Sequence, residues 1–319
     1  MGTPHISARV LEKPAREVIR HSAKQLLKKS DEAVRRLRDR HDTEALHDSR
    51  VALRQLRGWF QAFRQELPLR HKWRRALKRL AHSTNRARDA EVCLLWVSRL
   101  TRRGHANERH FRAALEALRD ESYRRVRKEL PAKWRELARR LSHVAEAPAA
   151  PGSPFRRRFA ASLQDFTREF ERARVRARQD PSAPNIHALR IAGKKLRYLL
   201  EGVLKRDPAA KGLLDEIELL HDAAGTIQDL QRLQALMEEY FVTQADRGRK
   251  TPPEVSGSTR RADLEPSPES LLRIGGTARR EQTTRITRFR RSYLGKSPPR
   301  YVMKLRQVMR QLREHGAKH

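Results

Sequence analysis

Two stretches carry the side chains best suited to chemistry: HDSRVALRQLR at 47–57 and HALRIAGKKLR at 187–197. Each opens on a histidine, His47 or His187, and continues with cations at close spacing. The first stretch holds Arg50, Arg54 and Arg57; the second holds Arg190, Lys194, Lys195 and Arg197. On a helix, at about 100° per residue, His47, Arg50, Arg54 and Arg57 fall within an arc of about 80° along roughly 15 Å of axis. A guanidinium fork matches two oxygens of a phosphate and keeps its charge at any working pH. Lysine adds a compact charge, and histidine donates as a neutral tautomer or as an imidazolium. Such a ladder repels itself when empty, and becomes favourable when an extended polymer of closely spaced negative charge lies along it. No acidic residue lies between Arg50 and Arg57 or between Arg190 and Arg197, so both ladders are expected to be unneutralised.

The two stretches align without gaps at a separation of 140 residues, with identities at His47/His187, Arg50/Arg190, Ala52/Ala192, Leu56/Leu196 and Arg57/Arg197. The same offset pairs Leu80 with Leu220 and Asp89 with Asp229, which reads as an internal duplication. For His47 and His187, capping or packing near a helix start stands beside ligand contact. Asp89 and Asp229 either hold neighbouring arginines or are ordinary surface acids. Further basic rows at Arg20, Lys24 and Lys28, and at Arg75 and Arg79 continued by His82 and Arg86, either widen a shared basic channel or face water.

The elements that must position these residues read as helices throughout. Residues 14–39 place Val18, Ile19, Ala23, Leu26, Leu27, Ala33, Val34 and Leu37 at mostly three- and four-residue intervals. Thr43 is the expected N-cap of a helix over 44–66, whose apolar face is Leu53, Leu56, Phe60 and Phe63. Helices are expected over 70–102 and over 106–142, the latter broken or kinked at Pro131. A linker, EAPAAPGSP (146–154), precedes helices at 155–178, 185–206 and 210–243, and Leu196 and Leu200 give the 185–206 helix its apolar side. Residues 244–268, rich in Pro, Gly, Ser and charge, are expected to be disordered. Helices at 268–293 and 300–314 follow, the last packing through Val302, Leu305, Val308 and Leu312. The expected fold is all-α: two similar four-helix halves, 10–145 and 153–293, with 294–319 as a basic C-terminal helix and tail.

Composition bounds the partners. Lys and Arg number 72 against 38 Asp and Glu, a net charge of +34 over 319 residues; a surplus of that size needs an anionic partner to screen it. Aromatics are only 6%, against a protein that reads bases by stacking. A single cysteine, Cys93, excludes an internal disulfide and a cysteine-based zinc site. The first thirty residues show no secretory h-region and no stretch is apolar enough for a membrane span, so a cytoplasmic protein without membrane contact is expected.

The pattern H-x-x-R-[VI]-A-x-[RK]-x-L-R in both copies, with Arg88-Asp89 and Gln228-Asp229 downstream, resembles the CHAD domain, the conserved histidine α-helical domain, over about residues 10–293. The resemblance implies two pseudo-symmetric four-helix bundles around a basic cleft or pore that binds inorganic polyphosphate without catalysis or cofactor. Similar bacterial proteins associate with polyphosphate granules, and the same location is implied here. It places His47, Arg50, Arg54 and Arg57 in the first motif, and His187, Arg190, Lys194, Lys195 and Arg197 in the second. Gln55 stands where the second copy has Lys195, which implies a weaker first ladder. The E-x-E-x-K strand of the triphosphate-tunnel domain often fused to this family is absent.

Two other functions compete. Nonspecific nucleic-acid binding at low salt follows from charge alone. A metal-dependent phosphohydrolase would use the His-Asp pairs His41-Asp42, His47-Asp48 and His221-Asp222. Against it, His47-Asp48 opens a cationic helix, and Ala188 replaces Asp48 in the second copy.

Overall fold

A computed structural model describes residues 8–101, 106–146, 152–204, 208–250, 268–295 and 300–314. The elements are α1 (Ala8–Leu11), α2 (Ala15–Arg36), α3 (Ala45–Ala62), α4 (His71–Ser83), α5 (Asn85–Leu100), α6 (Ala106–Glu146), α7 (Phe155–Gln179), α8 (Ala183–Leu204), α9 (Pro208–Lys250), α10 (Pro268–Tyr293) and α11 (Arg300–Glu314). The fold is all-helical, and no strand occurs among the described residues.

The contacts divide the chain into two compact units. The first takes 1–84, 125–222 and 290–319; the second takes 85–124 and 223–289. In the first unit α2 packs on α3 and α7 on α8, with α3 against α8 and α2 against α7. The apolar face expected on α3 is the buried one: Leu53, Leu56 and Phe60, continued by Phe63 just past the helix, with Leu196 and Leu200 buried on α8. Helix polarity assigns the core here because each cationic arc is offset from the leucines. Short polar ties fix the helix pairs. Ser49 Oγ donates to the Ala33 carbonyl at 2.9 Å, and Ser162 Oγ to that of Ala62 at 2.8 Å. The starts of α2 and α7 are clipped together by two backbone bonds, Ala15 N to Ser153 O at 3.0 Å and Phe155 N to Lys13 O at 2.8 Å. Gly202 of α8 lies under the Trp59 ring, where an added Cβ would meet Cζ3 at 2.8 Å.

Several boundaries depart from the sequence reading. Thr43 is not the cap: Glu44 precedes α3 without a cap bond from its own side chain, and the Asp42 carboxylate accepts from Glu44 N at 3.1 Å and from the Ala45 N–H. The helix ends at Ala62 rather than 66. The expected 70–102 helix is two, α4 and α5, divided at Thr84. Pro131 does not break α6, which runs unbroken from Ala106 to Glu146. The proline removes one bond, but Val126, Leu130, Trp134, Leu137 and Leu141 form a buried stripe in register across it, and that burial holds the helix. α9 continues to Lys250, into the segment expected to be disordered, and 251–267 lie outside the described residues. So do 147–151 of the expected linker. α11 packs on α7 through Val302, Leu305, Val308 and Leu312, all buried as expected, with Tyr301 edge-on to Phe170 at 5.4 Å.

The second unit has its own core: Cys93, Trp96 and Val97 of α5 with Phe111 and Leu115 of α6, Leu230, Leu233 and Met237 of α9, and Leu271, Ile274 and Ala278 of α10. Asp89 pairs with Arg232 at 3.3 Å. Burial, helped by the charges of Asp89 and Asp229, pushes the Cys93 thiol up to about 12, so it is an inert packing group.

Candidate functional site

Both basic stripes lie in the first unit, on the two helices that face each other, α3 and α8. They meet beside Gly58, where an added Cβ would make ordinary contact with Cβ of Tyr198 at 3.6 Å. On α3 the four expected groups part ways. His47 is exposed in the first turn. Arg50 is only 7% exposed and inserts at the α4–α5 break, where Nη1 donates to Thr84 O at 2.5 Å and to Thr84 Oγ1 at 2.7 Å. A helix break frees carbonyl groups, and this guanidinium satisfies one of them. Arg54 and Arg57 are half-buried, and among the described residues neither has a carboxylate within ion-pair distance. Burial and then the charge of Arg54 lower the Arg57 pKa from its ordinary value, the mark of a cation held against its electrostatic preference.

The α8 stripe is different, and it corrects the expectation that neither ladder is neutralised. Lys195 Nζ sits 2.6 Å from Glu169 of α7. Arg197 bridges Glu201, one turn on, at 2.5 Å and Glu218 of α9 at 3.0 Å. The acids come from neighbouring helices or from beyond the motif, so inspection of 187–197 alone could not find them. Arg190 Nε donates to the His221 carbonyl at 3.4 Å, and His187, Lys194 and Arg190 are half-buried. Gln55 Oε1 accepts from Lys29 Nζ at 3.2 Å, which brings a further cation beside α3.

Two histidines report the field. His82, exposed on α4, is held below its ordinary pKa by burial of the ring and by Arg57, Lys78, Arg54 and Arg50. His221 on α9 is pushed down to about 2, first by burial and then by Arg190, Lys194, Arg197 and Arg54. Arg54 of α3 and three cations of α8 therefore act on one imidazole. Lys29 and Lys78 were missed by sequence reasoning, and His221 was noticed there only as a candidate metal ligand; none belongs to the repeated motif, and only packing brings them to it.

The secondary rows are dispersed. Lys24 and Lys28 are exposed on α2, and Arg20 is half-buried there, its pKa lowered by burial and Arg16. Arg75 and Arg79 are exposed on α4. Arg86 does not continue their face: it lies beyond the Thr84 break, in the second unit, paired with Glu239 at 2.8 Å. The aspartates of two of the three His-Asp pairs are engaged elsewhere. Arg36 of α2 binds Asp42 at 2.7 Å and also Asp48, which raises its own pKa and lowers that of Asp42. No group of three or more His, Cys, Asp or Glu able to hold a metal ion occurs among the described residues.

The fold is all-helical, and two helices in contact, α3 and α8, carry the cationic side chains. The CHAD domain family model matches residues 7–238, and the chain belongs to that family. The match stops short of α10, which the sequence reading had included. The structure is similar to the crystal structure of the CHAD domain from the plant Ricinus communis, at 18% identity over 94% of this chain and 99% of that chain, with a TM-score of 0.69. It is also similar to PptA from Streptomyces chartreusis, at 15% identity over 87% and 97%, with a TM-score of 0.58. At these identities the likeness is one of fold. Comparison with curated proteins returns no match. No described helix is long and apolar enough to cross a membrane.

Proposed function

We propose that this chain binds inorganic polyphosphate without catalysis, along the facing stripes of α3 and α8, and that it does so in the cytoplasm at polyphosphate granules. The observation that carries the reading is the pair Arg54 and Arg57: half-buried, without a carboxylate partner among the described residues, and next to cations from a second helix. Desolvated like charges store unfavourable energy that a chain of phosphates relieves. The contacting set is His47, Arg50, Arg54 and Arg57 with His187, Arg190, Lys194, Lys195 and Arg197, extended by Lys29, Lys78 and His82. Arg50 and Arg190 orient through backbone carbonyls while presenting charge, and Lys195 and Arg197 exchange carboxylates for phosphates on binding. The duplicated halves, 10–145 and 153–293, each supply one stripe.

Nucleic acid is the second reading, favoured by the net charge of +34. Competition separates the two. Long-chain polyphosphate should resist displacement by duplex DNA at equal phosphate concentration in about 0.15 M salt, where screening weakens nonspecific binding. Displacement by DNA would remove the polyphosphate assignment. Phosphate release from polyphosphate with added divalent metal should stay at background; turnover would restore the hydrolase reading.

A further inference from the structure

Polyanion binding, as described, makes no use of one buried titratable group within the field of the stripe cations. The imidazole of His221 is 14% exposed, and both ring nitrogens are shut off from solvent without a hydrogen-bond partner. Leaving such a group unsatisfied costs free energy that a plain apolar residue would avoid. Its surroundings are unusual in sign. Arg190, Lys194 and Arg197 act on it from α8 and Arg54 from α3. On its own helix, Asp222 Oδ1 lies 3.5 Å from Nδ1, and Glu218 is engaged by Arg197. From the end of α10, the Tyr293 phenol feels Asp222 and Glu216, and burial with these two charges raises its pKa. An acceptor for a protonated ring is thus already in place. The burial of the ring and four cations keep the proton away.

We propose that His221 takes up a proton when a phosphate chain occupies the stripes, closing an imidazolium–Asp222 ion pair, so that polyanion and proton bind cooperatively. The inference rests on the polyanion reading above. Phosphates neutralise Arg54, Arg190, Lys194 and Arg197; the repulsion that emptied the ring is removed, and Asp222 remains. The proton comes from solvent onto Nδ1, and no bond is broken. Linkage makes the effect reciprocal: whatever the chain does for proton affinity, the proton does for chain affinity. Binding therefore tightens as pH falls below neutrality. Inner phosphates of a long chain stay ionised across this range, so the ligand does not mask the effect.

Isothermal titration of the full chain with long-chain polyphosphate, at about pH 6 in two buffers of different ionisation enthalpy, counts the protons taken up. The wild-type protein should take up roughly half to one proton more per site than H221Q, and its log affinity should rise with falling pH more steeply by the same number. H82Q, which removes the exposed histidine of the field, should retain the His221 component. Equal uptake by wild type and H221Q overturns the inference while leaving the polyanion reading intact; absence of binding at any pH overturns both. Nitrogen-15 spectra of the wild-type histidines decide the matter independently of any variant's folding. The His221 ring should read neutral at pH 6 alone and as imidazolium with polyphosphate bound, and a ring that stays neutral in the complex overturns the proposal.

Discussion

On α3, Arg54 and Arg57 stand half-buried without a carboxylate partner among the described residues, whereas on α8 Lys195 is held by Glu169 and Arg197 by Glu201 and Glu218. The two stretches look like copies, yet one is a strained row of cations and the other a row with local counter-ions. The two stretches bury their leucines alike because both helices must bury the same face. Their charges are free to diverge, because partners arrive from other helices. On the proposed function, an anion would meet guanidinium groups without carboxylate partners on α3, and on α8 it would first displace the carboxylates of Glu169, Glu201 and Glu218.

The largest effect that would test this contrast is loss of the bare pair. R54A/R57A should weaken polyphosphate binding by about two to four orders of magnitude, from roughly 1.5–3 kcal/mol per charge-assisted contact, and lower the salt slope by about one unit per lost contact. Binding with an unchanged slope would take α3 out of the site.

A pH measurement probes the place where the stripes meet. The folded His221 pKa, about 2, is well below the unfolded value near 6.5. Between those values only the unfolded chain binds the proton, so His221 lowers stability as pH falls from about 6.5, and has no such effect above it. H221Q removes that loss, and its unfolding free energy at pH 5 relative to pH 7 should exceed that of wild type by on the order of 2 kcal/mol. Denaturant unfolding at the two pH values checks this, and parallel curves would mean that the cations of α3 and α8 do not converge on the ring.

Smaller effects separate the stripes themselves. K195A/R197A should cost about tenfold in polyphosphate affinity, less than the α3 pair, because the ion pairs lost are partly exposed and already screened. E169Q/E218Q should tighten binding by about twofold to fivefold, the worth of exposed ion pairs that no longer compete. If both double variants match R54A/R57A in size and direction, the distinction between bare and paired rows is wrong.

How much was legible follows from the range of each interaction. Leu53, Leu56, Phe60 and Phe63 announced their burial by spacing, and Val302, Leu305, Val308 and Leu312 did the same for the last helix. Helix ends were less legible. The break at Thr84 depends on Arg50, thirty-four residues earlier, reaching its carbonyl and hydroxyl. The continuity of α6 through Pro131 depends on a buried stripe that outweighs one missing bond. Sequence adjacency suggested His-Asp metal pairs, but Arg36 claims Asp42 and Asp48 from another helix.

The amino-acid order alone determined that the chain is helical and that two of its helices carry a similar cationic arc beside an apolar face, and it pointed to the polyanion proposed as the counterpart of so much positive charge. These are properties of one helix at a time, set by a periodicity local to the backbone. Only the folded arrangement decided which cations are neutralised, why Arg54 acts with the α8 cations, and that His221 sits among them with its nitrogens unsatisfied. Those depend on Coulomb interactions and desolvation, which follow distance in space, and the groups concerned are far apart along the chain.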